Sequence, residues 1–204
     1  MPDQDNPDLI SAAITAPAAE PPKEMPAAAS GGGLWSAFSW LRDLAFSVLI
    51  AVVSIVFIYQ PVKVEGTSMM SALTDQERIF INKFTYRLGL GSIERGDVVV
   101  FEYPVDRSKS FIKRVIGLPG DRVRIDRGQV YVNDRPLVED YVEPEFRDDS
   151  SMQQRVVGTN EYFVLGDHRN SSSDSRIWKN VPRGNIYGKA VFCYWPLNRM
   201  GRLK

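Results

Sequence analysis

The sequence predicts a mainly β protein, in which an antiparallel β domain follows one transmembrane helix and a disordered N-terminal tail. Three observations carry this prediction. Residues 1–33 are rich in Pro, Ala and Gly, residues 44–59 are almost wholly apolar, and the chain after Lys63 alternates between short apolar runs and turn residues. These patterns are typical of a disordered chain, a membrane helix and short β-strands, respectively.

The tail covers residues 1–33, where the composition gives too little apolar surface to offset the entropy cost of ordering. A transmembrane helix is predicted over residues 40–60, because no charge stands between Asp43 and Lys63. Residues 44–59 span about 24 Å as a helix, and the extension to residue 40 closes most of the gap to the ~30 Å hydrocarbon core. A cleaved secretory signal and a buried core helix are the alternatives. The charged residues through Asp43 are mainly acidic, so the distribution of charge leaves the orientation of the helix in the membrane open.

Residues 62–204 are predicted to form the β domain, with a smaller hairpin and loop subregion at about residues 118–160. Residues 121–132 alternate on both sides of a glycine-containing turn, which indicates a hairpin, and residues 139–155 are polar and indicate a surface loop. The other predicted strands are Arg78–Asn82, Asp97–Tyr103, Ser110–Ile116, Glu161–Leu165 and Ile186–Trp195.

Composition excludes several kinds of function. The chain carries 25 basic and 25 acidic residues, so no electrostatic footprint for nucleic acid is present. One cysteine rules out an intrachain disulfide, and Cys193 lies in an apolar run that predicts a core position. With one histidine and one cysteine, no metal site and no cofactor is predicted. Enzymatic chemistry would therefore use hydroxyl, amine or carboxylate groups, or depend on His168.

Three stretches contain residues that can carry chemistry. Gly66 precedes Ser68 by two positions and permits a sharp backbone path that presents a hydroxyl and its own N–H together, although an ordinary turn has the same composition. Lys113 and Arg114 are neighbours in a predicted strand, so one of them faces the interior or a cleft unless both reach solvent. A buried lysine has a lowered pKa and can act as a general base. Residues 166–176 are rich in short polar side chains and indicate either a solvated turn or a hydrogen-bonded scaffold.

These stretches, in this order and behind an apolar segment, resemble the bacterial type I signal peptidases. The motifs of that family are Ser-Met-x-Pro-Thr-Leu, Gly-Asp-Val/Ile-Val-Val-Phe, Lys-Arg-x-x-Gly-x-Pro-Gly-Asp and Gly-Asp-Asn-Arg-x-x-Ser-x-Asp-Ser-Arg. The corresponding segments are Ser68–Leu73, Gly96–Phe101, Lys113–Asp121 and Gly166–Arg176. The third motif matches in full, Ser71 and Ala72 replace Pro-Thr in the first, and His168 replaces Asn in the last.

The resemblance implies a signal-peptidase-like antiparallel β domain with Ser68 as nucleophile and Lys113 as general base. It further implies that Ser172 hydrogen-bonds the lysine amine and that Asp174 and Arg176 brace the site. The expected partners are secretory preproteins, cleaved after small residues at positions −1 and −3, and the lipid bilayer. The expected location is the bacterial cytoplasmic membrane, with one membrane pass and the catalytic domain on the extracytoplasmic side.

Three other readings stay open from the residues. A self-cleaving Ser-Lys transcriptional switch shares the dyad, but it requires a soluble DNA-binding segment that the apolar stretch argues against. A tethered β domain for protein interaction would make the motif residues merely structural. A hydrolase based on His168 is the fourth reading, and if the Ser-Lys reading is right, His168→Ala should leave activity largely intact.

Overall fold

The computed structural model describes residues 33–84 and 91–203. The chain forms two α-helices, α1 (Gly33–Ile58) and the short α2 (Ser175–Trp178), within the described residues. The strands are β1 (Tyr59–Lys63), β2 (Arg78–Asn82), β3 (Val98–Glu102), β4 (Ser110–Gly117), β5 (Arg122–Asp126), β6 (Gln129–Val132), β7 (Arg135–Pro136), β8 (Met152–Val156), β9 (Glu161–Leu165), β10 (Val181–Pro182), β11 (Ile186–Trp195) and β12 (Gly201–Arg202). The predicted disordered tail, apart from Gly33, lies outside the described residues.

The strands form two antiparallel sheets, which confirms the prediction of a mainly β antiparallel fold. The larger sheet has the order β1-β2-β11-β3-β4-β9-β10, with β12 paired to β11, and the smaller sheet has the order β7-β6-β5-β8. The smaller sheet contains the predicted hairpin, which turns at Arg127 and Gly128 with positive φ at both residues. The prediction of a surface loop over residues 139–155 is partly wrong, because Met152–Val156 forms strand β8, which pairs with β5.

Helix α1 ends earlier than the sequence predicts. The predicted transmembrane helix ran over residues 40–60, but Tyr59 and Gln60 belong to β1, which pairs with β2, and Pro61 follows directly. A proline has no backbone N–H for the helix ladder and disfavours helical geometry in the residue before it. Within the two described stretches, no helix combines the length and the hydropathy that crossing a membrane requires.

The described chain divides into two units at Ala45, and both sheets belong to the second unit, which begins at Phe46. Strand β3 shows why its sequence is continuously apolar: Val98 and Val100 pack into one buried cluster, while Val99 and Phe101 pack into another. A strand buried on both faces has no polar side to present. Cys193 is buried in the first of these clusters, as predicted.

A buried ion pair links β4 to the loop that follows β9. The guanidinium of Arg114 donates through Nε and Nη2 to the two carboxylate oxygens of Asp167 at 2.9 and 2.7 Å, and both side chains are almost fully buried. Arg114 also donates to the carbonyl of Gly96 and lies 4.2 Å from the ring centre of Tyr141. A charge desolvated to this degree is tolerated only when its partner stays in place.

We expect Asp167→Asn to lower the free energy of unfolding by about 3 kcal/mol, because the substitution leaves the buried Arg114 charge uncompensated. Urea unfolding of the full chain measures this change. The matched control is Asp134→Asn, which removes the carboxylate from an exposed pair with Arg122 and should cost less than about 1 kcal/mol. Equal losses in the two variants would contradict the view that the buried Arg114 charge depends on the Asp167 carboxylate.

Candidate active site

Ser68 lies in a turn that follows β1 and is anchored at both ends. Gly66 adopts a φ of +96°, which favours glycine, and its N–H donates to the Asp75 carboxylate at 2.8 Å. After the serine, the side chains of Met69 and Leu73 are buried in the core of the larger sheet. The turn therefore holds Ser68 between a fixed backbone bend and two apolar anchors.

Lys113 approaches this turn from the middle of β4. Its Nζ atom lies 2.6 Å from the Ser68 Oγ atom, and only 4% of the residue is exposed. The sequence predicted that one of Lys113 and Arg114 points inward. Both residues are buried, and as neighbours on a strand they point to opposite faces.

Burial lowers the pKa of the Lys113 amine from its usual 10.5 to about 8. Desolvation is the main cause, because an apolar environment disfavours the charged form of an amine. The carboxylates of Asp174 and Asp167 act in the opposite direction and keep the pKa from falling further. The amine is therefore neutral in an appreciable fraction of molecules near neutral pH.

The loop after β9 is built on Asp174 and Arg176. Asp174 is fully buried, and its carboxylate accepts hydrogen bonds from the Gly166 N–H at 3.1 Å and from Arg176 Nε and Nη2 at 2.8 Å each. Arg176 also donates to the carbonyl of Arg169 at 2.8 Å and pairs with the carboxylate of Asp148. The two residues thus fix the loop at both of its ends.

Ser172 lies close to the site, but it does not make the predicted contact. Its hydroxyl is buried and has no hydrogen-bond partner within the described part of the chain, so the expected bond to the Lys113 amine is not formed. A Cβ placed on Gly166 would stand 2.1 Å from Ser172 Oγ and 2.5 Å from the Ser68 carbonyl oxygen. Gly166 is therefore the spacer that allows Ser172 and the Ser68 backbone to lie on either side of it.

The loop after β9 is also supported by two acidic residues whose role the sequence did not reveal. Glu139 pairs with Arg169, which is buried at 4% exposure, and also accepts from the Tyr141 hydroxyl at 2.8 Å. Asp148 pairs with Arg176. Both carboxylates come from a polar stretch that the sequence suggested was a solvated loop, and no local pattern marks their pairing with arginines about thirty residues away.

Ser68 and Lys113 open into a cleft of about 380 Å³. Its walls come from the chain on either side of Gly66, from β3, β4 and β11, and from the loop after β9. The lining residues are Val62, Lys63, Val64, Glu65, Gly66, Ser68, Met69, Val100, Ser110, Phe111, Ile112, Lys113, Ser173 and Tyr187. Across residues 33–84 and 91–203, no group of three or more His, Cys, Asp or Glu side chains is placed to hold a metal ion.

Comparison with known proteins gives the class of this molecule. The family model described as "Signal peptidase, peptidase S26" matches residues 37–195. The signal peptidase I of Leptolyngbya laminosa is 33% identical over 95% of this chain and 97% of its own length. The probable signal peptidase I-2 of Synechocystis is 38% identical over 81% of this chain and 78% of its own length. The signal peptidase I of Bacillus licheniformis is 31% identical over 81% of this chain and 92% of its own length.

A crystal structure of a signal peptidase I from Enterococcus faecalis V583 is 30% identical, covers 48% of this chain and 97% of its own, and has a TM-score of 0.43. The family match and the sequence relatives define a serine protease that hydrolyses peptide bonds. The chain belongs to the signal peptidase family, peptidase S26.

Proposed function

We propose that this chain removes N-terminal signal peptides from secretory preproteins, with Ser68 as the nucleophile and Lys113 as the general base. The observation that supports this most directly is the 2.6 Å approach of the buried Lys113 amine to the Ser68 hydroxyl at the floor of an open cleft. A serine hydroxyl is a weak nucleophile until an adjacent base accepts its proton.

The proposed reaction starts from the neutral Lys113 amine, which accepts the Ser68 proton as Oγ attacks the scissile carbonyl carbon. The oxyanion of the tetrahedral intermediate is stabilised by the backbone N–H of Ser68, since Gly66 offers no side-chain donor. The protonated amine then gives its proton to the leaving nitrogen, and an acyl-enzyme remains. Lys113 next deprotonates a water molecule, which attacks the ester and releases the signal peptide from Ser68.

Ser172, Asp174 and Arg176 are proposed to support the dyad without contacting the scissile bond. Asp174 and Arg176 hold the loop through buried hydrogen bonds, and the Asp174 charge raises the pKa of the Lys113 amine against the effect of burial. Ser172 lies against Gly166, and its buried hydroxyl has no hydrogen-bond partner in the described residues, so it is available to the Lys113 amine if the loop shifts during the reaction.

The cleft indicates how a preprotein would be selected. Apolar side chains line it beside Ser68, namely Val62, Val64, Met69, Phe111 and Ile112. Apolar walls beside the nucleophile favour uncharged side chains over charged ones, because a charge buried against them would lose its hydration. This supports uncharged residues at positions −1 and −3, and the family resemblance implies that these residues are small.

We also propose that the lipid bilayer is the partner of helix α1. Large apolar side chains on the helix are exposed between Phe38 and Val53, and exposed apolar patches of this kind mark an interaction surface. The sequence carries no charge between Asp43 and Lys63. On the family resemblance, α1 anchors the enzyme in the bacterial cytoplasmic membrane by a single pass, with the catalytic domain on the extracytoplasmic side.

The dyad is tested by the cleavage of a preprotein that carries an Ala-x-Ala site, in detergent or liposomes. We expect Ser68→Ala and Lys113→Ala each to lose activity by about 10³-fold or more, because the nucleophile or its base is removed. The matched controls are Ser108→Ala and Lys109→Ala on the exposed turn between β3 and β4, which should cleave at the wild-type rate. Full activity in folded Ser68→Ala or Lys113→Ala would refute the dyad.

The pKa of Lys113 predicts the pH dependence of the reaction. Only the neutral amine accepts a proton, so kcat/KM should rise with pH, pass its midpoint at about 8 and level off above it. At pH 7, about one tenth of the amines are neutral. Initial rates between pH 6 and 10 test this profile, and a midpoint near 10.5 would show that Lys113 is not desolvated in the working enzyme.

The membrane proposal is tested by flotation of the full chain with liposomes on a density gradient. Wild type should float, and Leu49→Asp combined with Val52→Asp should not, because each carboxylate in a membrane helix costs about 2.5–3.5 kcal/mol. The matched control places aspartates at Val105 and Val138, which are exposed outside α1, and should float. Failure of wild type to float, or flotation of both variants, would contradict a bilayer role for α1.

The proposed orientation is tested separately in spheroplasts, where protease added from outside should digest the catalytic domain if that domain lies on the extracytoplasmic side.

A further inference from the structure

His168 contacts two consecutive residues of the nucleophile turn. Its backbone N–H donates to the carbonyl of Ser68 at 3.2 Å, and its ring Nδ1 lies 3.0 Å from the carbonyl oxygen of Thr67. A carbonyl oxygen can only accept, so Nδ1 carries the proton in this contact. The ring packs at 4.5 Å against Phe146, which limits its orientation.

The segment that carries His168 is held by its neighbours in sequence. Asp167 before it forms the buried pair with Arg114, and Arg169 after it forms the buried pair with Glu139. Arg169 Nε also donates to the Gly166 carbonyl at 3.0 Å. His168 therefore reaches the turn from a segment fixed on both sides, whereas Thr67 itself is exposed.

The Thr67 carbonyl and the Ser68 N–H belong to the same planar peptide group. Whatever fixes the direction of the carbonyl therefore fixes the direction of the N–H at the opposite side of the plane. That N–H is the proposed donor to the oxyanion, and an oxyanion donor is effective only when it is aimed before the reaction starts. The Met70 N–H also reaches the Thr67 carbonyl, at 3.1 Å, but from within the same turn.

We infer that His168 is a positioning residue, whose Nδ1–H holds the Thr67–Ser68 peptide group so that the Ser68 N–H points at the developing oxyanion. The inference rests on the proposed function of Ser68. It assigns the imidazole a hydrogen-bond donor role and no proton transfer, so a side-chain amide at this position should serve as well. It also predicts that the transition state depends on His168 more than substrate binding does, because His168 is not among the residues that line the cleft and acts through the Ser68 N–H.

The test compares three variants of the full-length enzyme in the preprotein assay. His168→Phe keeps a ring against Phe146 but removes the donor, His168→Ala removes both, and His168→Asn restores a donor. We expect kcat to fall about 10-fold or more in the Phe and Ala variants, with KM within about twofold of wild type. Removal of an oxyanion donor outright costs about 10²–10³-fold, and misdirection costs less. The Asn variant should keep kcat within about threefold of wild type.

The control is Asn170→Ala, which removes a hydrogen bond from the same loop to the Glu145 carbonyl and should leave kcat unchanged. Wild-type kcat in His168→Phe, an equal loss in His168→Asn, or a change confined to KM would overturn the inference. A loss in His168→Ala as large as that in Ser68→Ala, with the pH midpoint at about 8 abolished in His168→Asn, would instead make His168 the base. Activity retained in Ser68→Ala would refute the proposed function separately.

The expected loss of activity in His168→Ala is larger than the sequence suggested, because the sequence did not reveal that His168 contacts the nucleophile turn. This loss of activity is still far smaller than the loss expected in Ser68→Ala or Lys113→Ala. Residual activity of about one tenth thus separates a positioning residue from a general base.

Discussion

The desolvation of the Lys113 amine is the constraint on which the rest of the site depends. A lysine at the surface would be almost fully protonated at neutral pH and would have no lone pair to accept a proton. The fold removes water from the amine by placing it on β4, in the middle of the larger sheet, at 4% exposure. A strand near the edge of the sheet, such as β1 or β10, would leave the amine solvated and charged.

The same region holds three arginines that are paired with carboxylates, and two of them, Arg114 and Arg169, are buried. Arg114, Arg169 and Arg176 each face at least one carboxylate, through Asp167, Glu139 and Asp174 respectively. Lys113 faces the hydroxyl of Ser68 at 2.6 Å, and its acidic neighbours act on it only through space. A guanidinium remains protonated whatever its burial, whereas an amine gives up its proton when water is removed without a carboxylate in contact.

The arginine pairs also give the loop after β9 its shape. They join it to β4 and to the stretch between β7 and β8, so the position of His168 and Gly166 against the nucleophile turn is fixed by contacts far apart in sequence. Charge pairs of this kind are geometrically demanding, because the removal of one member leaves a buried charge uncompensated.

The sequence allowed the strands of the catalytic domain to be predicted where alternation is clear. Arg78–Asn82 and Glu161–Leu165 have the predicted bounds. Strand β8 was not predicted, because it lies at the edge of the smaller sheet and its sequence is polar, with no apolar run. The pairing of Ser68 with Lys113 was implied by the family resemblance, because neither residue marks a site by itself. The roles of Glu139 and Asp148 could not be predicted, since a carboxylate in a polar loop looks the same whether or not an arginine from another element reaches it.

The segment that contains Ser71 and Ala72 is restrained by a residue that is distant in sequence. In the family motif a proline and a threonine stand at these positions, and a proline stiffens the chain by fixing its own φ. Here Arg199, from the last turn before β12, donates to the carbonyl of Ser71 at 2.9 Å and to that of Ala72 at 3.4 Å.

Arg199 also pairs with Glu77, whose side chain is buried and accepts from the Thr74 hydroxyl at 2.7 Å. A guanidinium supplies several donors in a rigid plane, so one side chain can hold two carbonyls and a carboxylate together. The segment behind the nucleophile is thereby held from the C-terminal end of the chain. In this chain the segment that carries Ser71 and Ala72 in place of Pro-Thr is therefore restrained by a tertiary contact.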